Sequence, residues 1–114
     1  MNMKFKIKIS RETVLLLKRI LQAILEQAVP VTDDERLFVA VCDELNRVLY
    51  RKLEDVKQIY KITLTPAQAV IIRILNAYYS PKISAYEKIE IQRIADTIHQ
   101  ALISSTTIQR AYAE

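Results

Sequence analysis

The chain has 114 residues, 51% of them hydrophobic and 26% charged, with a net charge of +4 and no glycine. That length makes one domain able to bury roughly two-thirds of the surface its unfolded form exposes, and the composition is that of a globular chain rather than a disordered or membrane-embedded one. Average usage would supply about eight glycines, and their absence excludes P-loops, dinucleotide-binding fingerprints and nucleophile elbows, which need glycine at fixed offsets.

Lys4 to Ile9 reads KFKIKI, a strict period of two. In a strand this puts Phe5, Ile7 and Ile9 on one face and Lys4, Lys6 and Lys8 on the other. The period changes at Ser10, whose hydroxyl is placed to cap a first helix. There Val14, Leu17, Leu21, Ile24, Leu25 and Ala28 keep the 3-4 spacing, and Leu15, Leu16 and Ile20 widen the apolar arc beyond that of a surface helix. Only Glu12, Lys18, Arg19, Gln22 and Glu26 are left for solvent, which makes this helix central. Pro30 ends it.

Thr32 to Glu35 forms a capping box, with Asp33, Asp34 and Glu35 at the positive end of the helix dipole. The spacing predicts a second helix running to about Tyr60, on the order of 40 Å long. Phe38, Val41, Cys42, Leu45, Val48, Leu49, Leu53, Val56 and Tyr60 hold one stripe. Asp43 with Arg47, and Arg51 with Asp55, stand at i, i+4 on the solvated side. The far end is expected to overhang the core or to pack on another subunit.

Lys61 to Leu64 alternates again, with Ile62 and Leu64 inward and Lys61 and Thr63 outward. Thr65-Pro66 starts a third helix, with Gln68 completing a capping box. Ala67 to Tyr79 has few polar positions and is expected to be the most buried helix. Ser80-Pro81-Lys82 breaks it, and Ser84 to Glu87 caps a fourth helix with Ile91, Ile94, Ala95, Ile98 and Leu102 inward. After Ser104 the periodicity is lost. The expected organisation is therefore one helical domain over 1–103 and a flexible C-terminal tail over 104–114.

The fold class is mainly α (α+β): a four-helix, bundle-like domain with a small two-stranded β-ribbon, its strands at about 4–9 and 61–64, formed within one chain or between two. An offset of 55 lays Lys6-Ile7-Lys8-Ile9-Ser10 on Lys61-Ile62-Thr63-Leu64-Thr65 and Lys18 on Arg73. The chain thus reads as two unequal strand-helix-helix halves, by internal duplication or by the chance likeness of two capped apolar helices. A two-stranded ribbon is marginal alone and needs helices beneath it.

No catalytic, cofactor-binding or metal-ligating set can be assembled. His99 has Asp96 before it and Ser104 and Ser105 after it, but nothing positions a hydroxyl or an oxyanion hole, and a helix-flank histidine explains it better. Cys42 and His99 together fall two ligands short of a zinc site, and one histidine cannot supply a helical di-metal site. Cys42 on the apolar stripe reads as a small buried hydrophobe. The acidic triplet at 33–35 is explained by capping. The expectation is a protein that is not an enzyme, with no cofactor and no small-molecule substrate. A lone cysteine excludes an internal disulfide and suggests a reducing, cytoplasmic setting. Val14 to Leu25 is interrupted by Lys18 and Arg19 and does not read as a secretory signal, while Val70 to Tyr79 is too short to span a bilayer.

Charge is unevenly spread. Residues 1–20 hold six basic side chains and one acidic; the other 94 residues hold 11 basic and 12 acidic. Lys4, Lys6 and Lys8 either protect an open strand edge or present a basic face to anions. A basic two-stranded ribbon fits the major groove. In element order, strand then two helices, each half resembles the ribbon-helix-helix DNA-binding proteins, whose paired strands present alternate side chains to bases. That resemblance implies that Lys4, Lys6, Lys8, Lys61 and Thr63 face DNA. The chain departs from the family at Val29-Pro30-Val31, where a glycine is common, and in the length of its helices. The functional expectation is a non-enzymatic protein-interaction or assembly module, self-associating or binding a protein partner through the strand edge or the overhanging second helix. The alternative is DNA binding through the lysine face. A membrane role ranks below both, because one lysine row is small by polybasic standards. Six tyrosines among eight aromatics, three of them (Tyr78, Tyr79, Tyr86) around Pro81, hint mildly at an interaction surface or at a cluster closing one end of the bundle.

Overall fold

The computed structural model describes residues 4–79 and 85–113, with side chains described as far as Ala77 and from Ala85 to Gln100. The elements are β1 (Phe5–Ser10), α1 (Arg11–Gln27), α2 (Asp33–Leu53), β2 (Ile59–Leu64), α3 (Pro66–Tyr79) and α4 (Ala85–Ala113). The result is a mostly helical domain carrying one small antiparallel ribbon, and the ribbon forms within the chain.

Each strand leads straight into a helix because a hydroxyl stands at the change of period. Ser10 Oγ accepts the Thr13 N–H at 3.2 Å, and Thr65 Oγ1 accepts the Gln68 N–H at 3.2 Å. Gln68 returns the bond, its Oε1 accepting the Thr65 N–H at 3.1 Å, which completes the capping box the sequence predicts. Thr32 caps α2 in the same way, accepting the Glu35 N–H at 3.1 Å.

Beneath the ribbon, Phe5, Ile7 and Ile9 of β1 and Tyr60, Ile62 and Leu64 of β2 join the core with Val14, Leu17 and Leu21 of α1, Leu45 and Leu49 of α2, Ile72 and Leu75 of α3, and Ile91, Ile94 and Ile98 of α4. The helices supply the apolar floor that an isolated ribbon lacks. Among its described side chains α3 buries Gln68, Ala69, Ile71, Ile72 and Leu75, and α1 buries the equivalent face, Thr13, Val14, Leu16, Leu17 and Ile20.

The second helix differs from the sequence expectation. It stops at Leu53, and at about 31 Å it does not reach Tyr60, so the expected overhang is not formed. Residues 54–58 turn the chain back, and β2 begins at Ile59, two residues earlier than expected. Val56 and Tyr60 continue the 3.6-residue stripe only by coincidence: Val56 is 86% exposed, and Tyr60 is buried as a strand residue. The Tyr60 hydroxyl braces this stop. It donates to Asp55 O at 2.7 Å and accepts from the Lys57 N–H at 3.3 Å and from Arg11 Nη1 at 2.7 Å, so it holds the turn closed against the start of α1. Asp55 therefore leaves the helix and forms no pair with Arg51, whereas Asp43 and Arg47 meet at 3.1 Å.

The two halves share more than element order. Ile7 pairs with Ile62, its own equivalent at the offset of 55, so a local two-fold axis passes between these two residues. The offset also matches the caps Ser10 and Thr65, and the two buried polar residues Thr13 and Gln68. Leu16 and Leu17 are buried like Ile71 and Ile72, and Leu15 is 46% exposed where Val70 is 38%. The halves diverge in their second helices, α2 and α4.

Two readings from the sequence, the break at Ser80-Pro81-Lys82 and the cap at Ser84, lie outside the described residues. Around that break Tyr86 is exposed, and the side chains of Tyr78 and Tyr79 are also outside the description. The backbone of α4 continues helical over 104–113, the segment read as a tail. Loss of an apolar period removes a packing signal without removing helix propensity, which Ala, Gln and Arg supply there.

Candidate functional site

The ribbon carries its polar face outward. Lys4, Lys6 and Lys8 alternate with buried Phe5, Ile7 and Ile9, and Lys61 and Thr63 alternate with buried Tyr60, Ile62 and Leu64. All five residues picked out from the sequence therefore lie exposed on one face. Lys6 stands opposite Thr63 and Lys8 opposite Lys61.

The ladder sets how close these pairs come. Just past the strand ends the Arg11 N–H donates to Gln58 O at 2.8 Å. With this register, 11–58, 9–60, 7–62 and 5–64 are the hydrogen-bonded pairs, and 10–59, 8–61 and 6–63 are the non-hydrogen-bonded ones. Side chains at non-hydrogen-bonded positions approach most closely, and like charges placed there repel. Lys8 and Lys61 are such a pair.

Elsewhere the fold uses its N-terminal basic groups. Arg11 binds the Tyr60 hydroxyl, Lys18 Nζ lies 5.2 Å from the centre of the Tyr50 ring, and Arg19 pairs with Glu87 at 3.2 Å. Of the six basic side chains in residues 1–20, Lys4, Lys6 and Lys8 have no partner among the described residues; Lys61 has none either.

A second surface surrounds the first turns of α2. One groove of about 630 Å³ runs between the C-terminal half of α1 and the start of α2, with Ile20, Ile24, Ala28, Pro30 and Phe38 in its wall. Another, about 430 Å³, lies between α2 and α3 and is lined by Leu37, Phe38, Val41, Val70, Ile71 and Ile74. Phe38 and Asp34 border both. Around them Val29 is 81%, Val31 69% and Leu37 65% exposed. The sequence marks Val29 and Val31 only as the turn around Pro30 and Phe38 and Val41 only as part of an apolar stripe, and Leu37 is not singled out. Leu37 sits off the apolar stripe of its helix, which was the available signal, and whether α2 is covered at that end depends on packing that periodicity does not encode.

Of the residues weighed for catalysis, His99, Asp96 and Cys42 have described side chains. His99 is exposed on α4, and Asp96 is engaged by Gln92 Nε2 at 2.7 Å; the side chains of Ser104 and Ser105 lie outside the description. Cys42 is fully buried between the helices, and burial pushes its thiol up to about 11. Among the described residues no three His, Cys, Asp or Glu side chains gather as a metal site would need, and no helix is long and apolar enough to cross a membrane. Comparison of the chain with protein-family models, with curated proteins and with solved structures found no match.

Proposed function

We propose that the protein is a non-catalytic interaction module that docks a segment of a partner protein in the apolar grooves beside Phe38. The observation that carries this reading is an asymmetry between the two halves. Where the seam between α1 and α4 carries the ion pair Arg19–Glu87, the position equivalent to Arg19 is Ile74, and the seam it lines between α2 and α3 is an open apolar groove. Exposed apolar surface that is contiguous and concave is characteristic of a docking site, whereas scattered apolar residues are not.

The rim indicates the partner's chemistry. Asp34 borders both grooves and Glu35 the first, while the neighbouring cations are already engaged, Arg36 by Asp33 at 2.8 Å and Arg19 by Glu87. An amphipathic segment with apolar anchors and a basic flank complements this surface. A cytoplasmic setting accords with the reading, since the lone thiol of Cys42 has no disulfide partner in the chain.

The test is selection of helical peptides from a display library against the wild-type protein and against Leu37→Asp/Val70→Asp. Leu37 is 65% and Val70 38% exposed, and the helical circular dichroism of the variant is checked beside that of the wild type. Enrichment of peptides with apolar i, i+3/i+4 anchors and flanking Lys or Arg, lost on the variant, is the expected result. No enrichment over the variant sinks the reading. Concentration-dependent dimers in light scattering that the variant abolishes would make a second copy of this chain the occupant instead.

A further inference from the structure

We infer that the outward face of the ribbon is a phosphate-binding surface for duplex nucleic acid, centred on the quartet Lys6, Lys8, Lys61 and Thr63. These four residues surround the local two-fold axis at Ile7 and Ile62, three ammonium groups and one hydroxyl at the two closest cross-strand positions. Lys8 against Lys61 is a repulsive pair without a compensating carboxylate among the described residues. Edge protection asks only for charge on an open strand. It does not ask for two like charges directly opposed, and an anion lodged between them turns the repulsion into attraction.

The extent of the row selects a polyanion. Lys4 to Lys8 on one strand spans about 14 Å at 3.4 Å per residue, more than one phosphate group covers, and Thr63 adds a hydroxyl donor of the kind that commonly contacts phosphate oxygens. The rest of the face selects the form of that polyanion. Among its described residues there is no aromatic side chain on which an unpaired base could stack, so it lacks the platform that single-strand binders use. Ile59 is its one large apolar side chain, too little to anchor in a bilayer interface. A two-stranded ribbon also has a width that the major groove admits, and the dyads of a duplex match a ribbon with its own two-fold.

The experiment is titration of the full chain with a fluorescent mixed-sequence DNA duplex between 50 and 200 mM salt. Four lysine–phosphate contacts predict a slope of log K against log salt of about −3.6, and hence a loss on the order of 100-fold in affinity over that range. Lys6→Gln/Lys8→Gln/Lys61→Gln should bind at least tenfold more weakly at low salt and bring the slope to about −0.9. Arg51→Gln/Lys52→Gln/Lys88→Gln removes the same charge from exposed positions off the ribbon face and should keep both affinity and slope. Lys8→Thr, which copies the residue at the equivalent position 63, should lower the slope by about 0.9 and guards against a folding defect in the triple variant. Four outcomes overturn the inference: no binding at low salt, equal loss in the control variant, tighter binding to the single strand, or binding to phosphatidylserine vesicles that duplex does not compete away.

Discussion

Arg11 reaches across the ribbon to Tyr60, its Nη1 donating to the phenol oxygen at 2.7 Å while that hydroxyl donates onward to Asp55 O at 2.7 Å. This chain of bonds ties the start of α1 to the turn that ends α2, and it fixes where β2 begins. Tyr60→Phe keeps the buried ring and removes the hydroxyl, leaving the Lys57 N–H and the Asp55 carbonyl without their partner. The expected loss is about 1–2 kcal/mol, read as a lower urea midpoint with an unchanged m-value; an unshifted midpoint would show that the hydroxyl does not hold the turn.

The two equivalent caps should behave alike. Ser10→Ala and Thr65→Ala each remove a hydroxyl that accepts an N–H of the first helical turn, at a cost of about 1 kcal/mol apiece. Gln68→Ala should cost more than Thr65→Ala. Gln68 is buried, closes its own capping box and also donates from Nε2 to Glu44 on α2, so its loss leaves two elements less well joined. Denaturation of the three variants side by side checks the order, and a Gln68→Ala milder than Thr65→Ala would contradict it.

How much of this was legible follows from the range of each interaction. The alternation of Lys4 to Ile9, the change of period at Ser10 and the Thr65-Pro66-Ala67-Gln68 start are local signals, and the structure forms each of them where the sequence places it. The lysines and Thr63 could be assigned to one side of each strand because a period of two leaves no other choice. The end of α2 was not legible. It depends on Tyr60 finding Arg11, 49 residues away in sequence, and a 3.6-residue stripe carries no sign of such a bond. The offset of 55 was visible as a likeness of strings, but only the register, with Ile7 on Ile62, turns it into a two-fold. The grooves beside Phe38 were illegible for the opposite reason. They are defined by what fails to cover α2, and no pattern along a chain records an uncovered face.

Replacing one of the opposed lysines should make the free protein more stable. In Lys8→Thr the non-hydrogen-bonded pair becomes Thr opposite Lys61, which removes a like-charge contact and supplies a residue with better strand propensity. We expect a gain of about 0.2–0.5 kcal/mol at low ionic strength. The electrostatic part of this gain should shrink in 1 M salt, where screening acts over only about 3 Å. Thermal unfolding at the two salt concentrations measures it. A variant less stable than wild type at low salt would mean that the two ammonium groups splay far enough apart to avoid each other.

Cys42 should report global unfolding. Its side chain is fully buried among Leu45, Leu49 and the rest of the core, and desolvation pushes the thiol up to about 11, so the reactive thiolate is scarce in the folded state at neutral pH. Because the folded thiol holds its proton to higher pH than the unfolded one, its contribution to stability is full below about 9 and declines as pH rises through about 11. Labelling with a disulfide reagent at pH 8 should be slow. Its rate should rise with urea in step with loss of the helical circular dichroism signal, and Tyr60→Phe should speed it by the factor that its lost stability implies. Fast labelling in the absence of denaturant, with the helical signal intact, would show that the core around α2 opens locally.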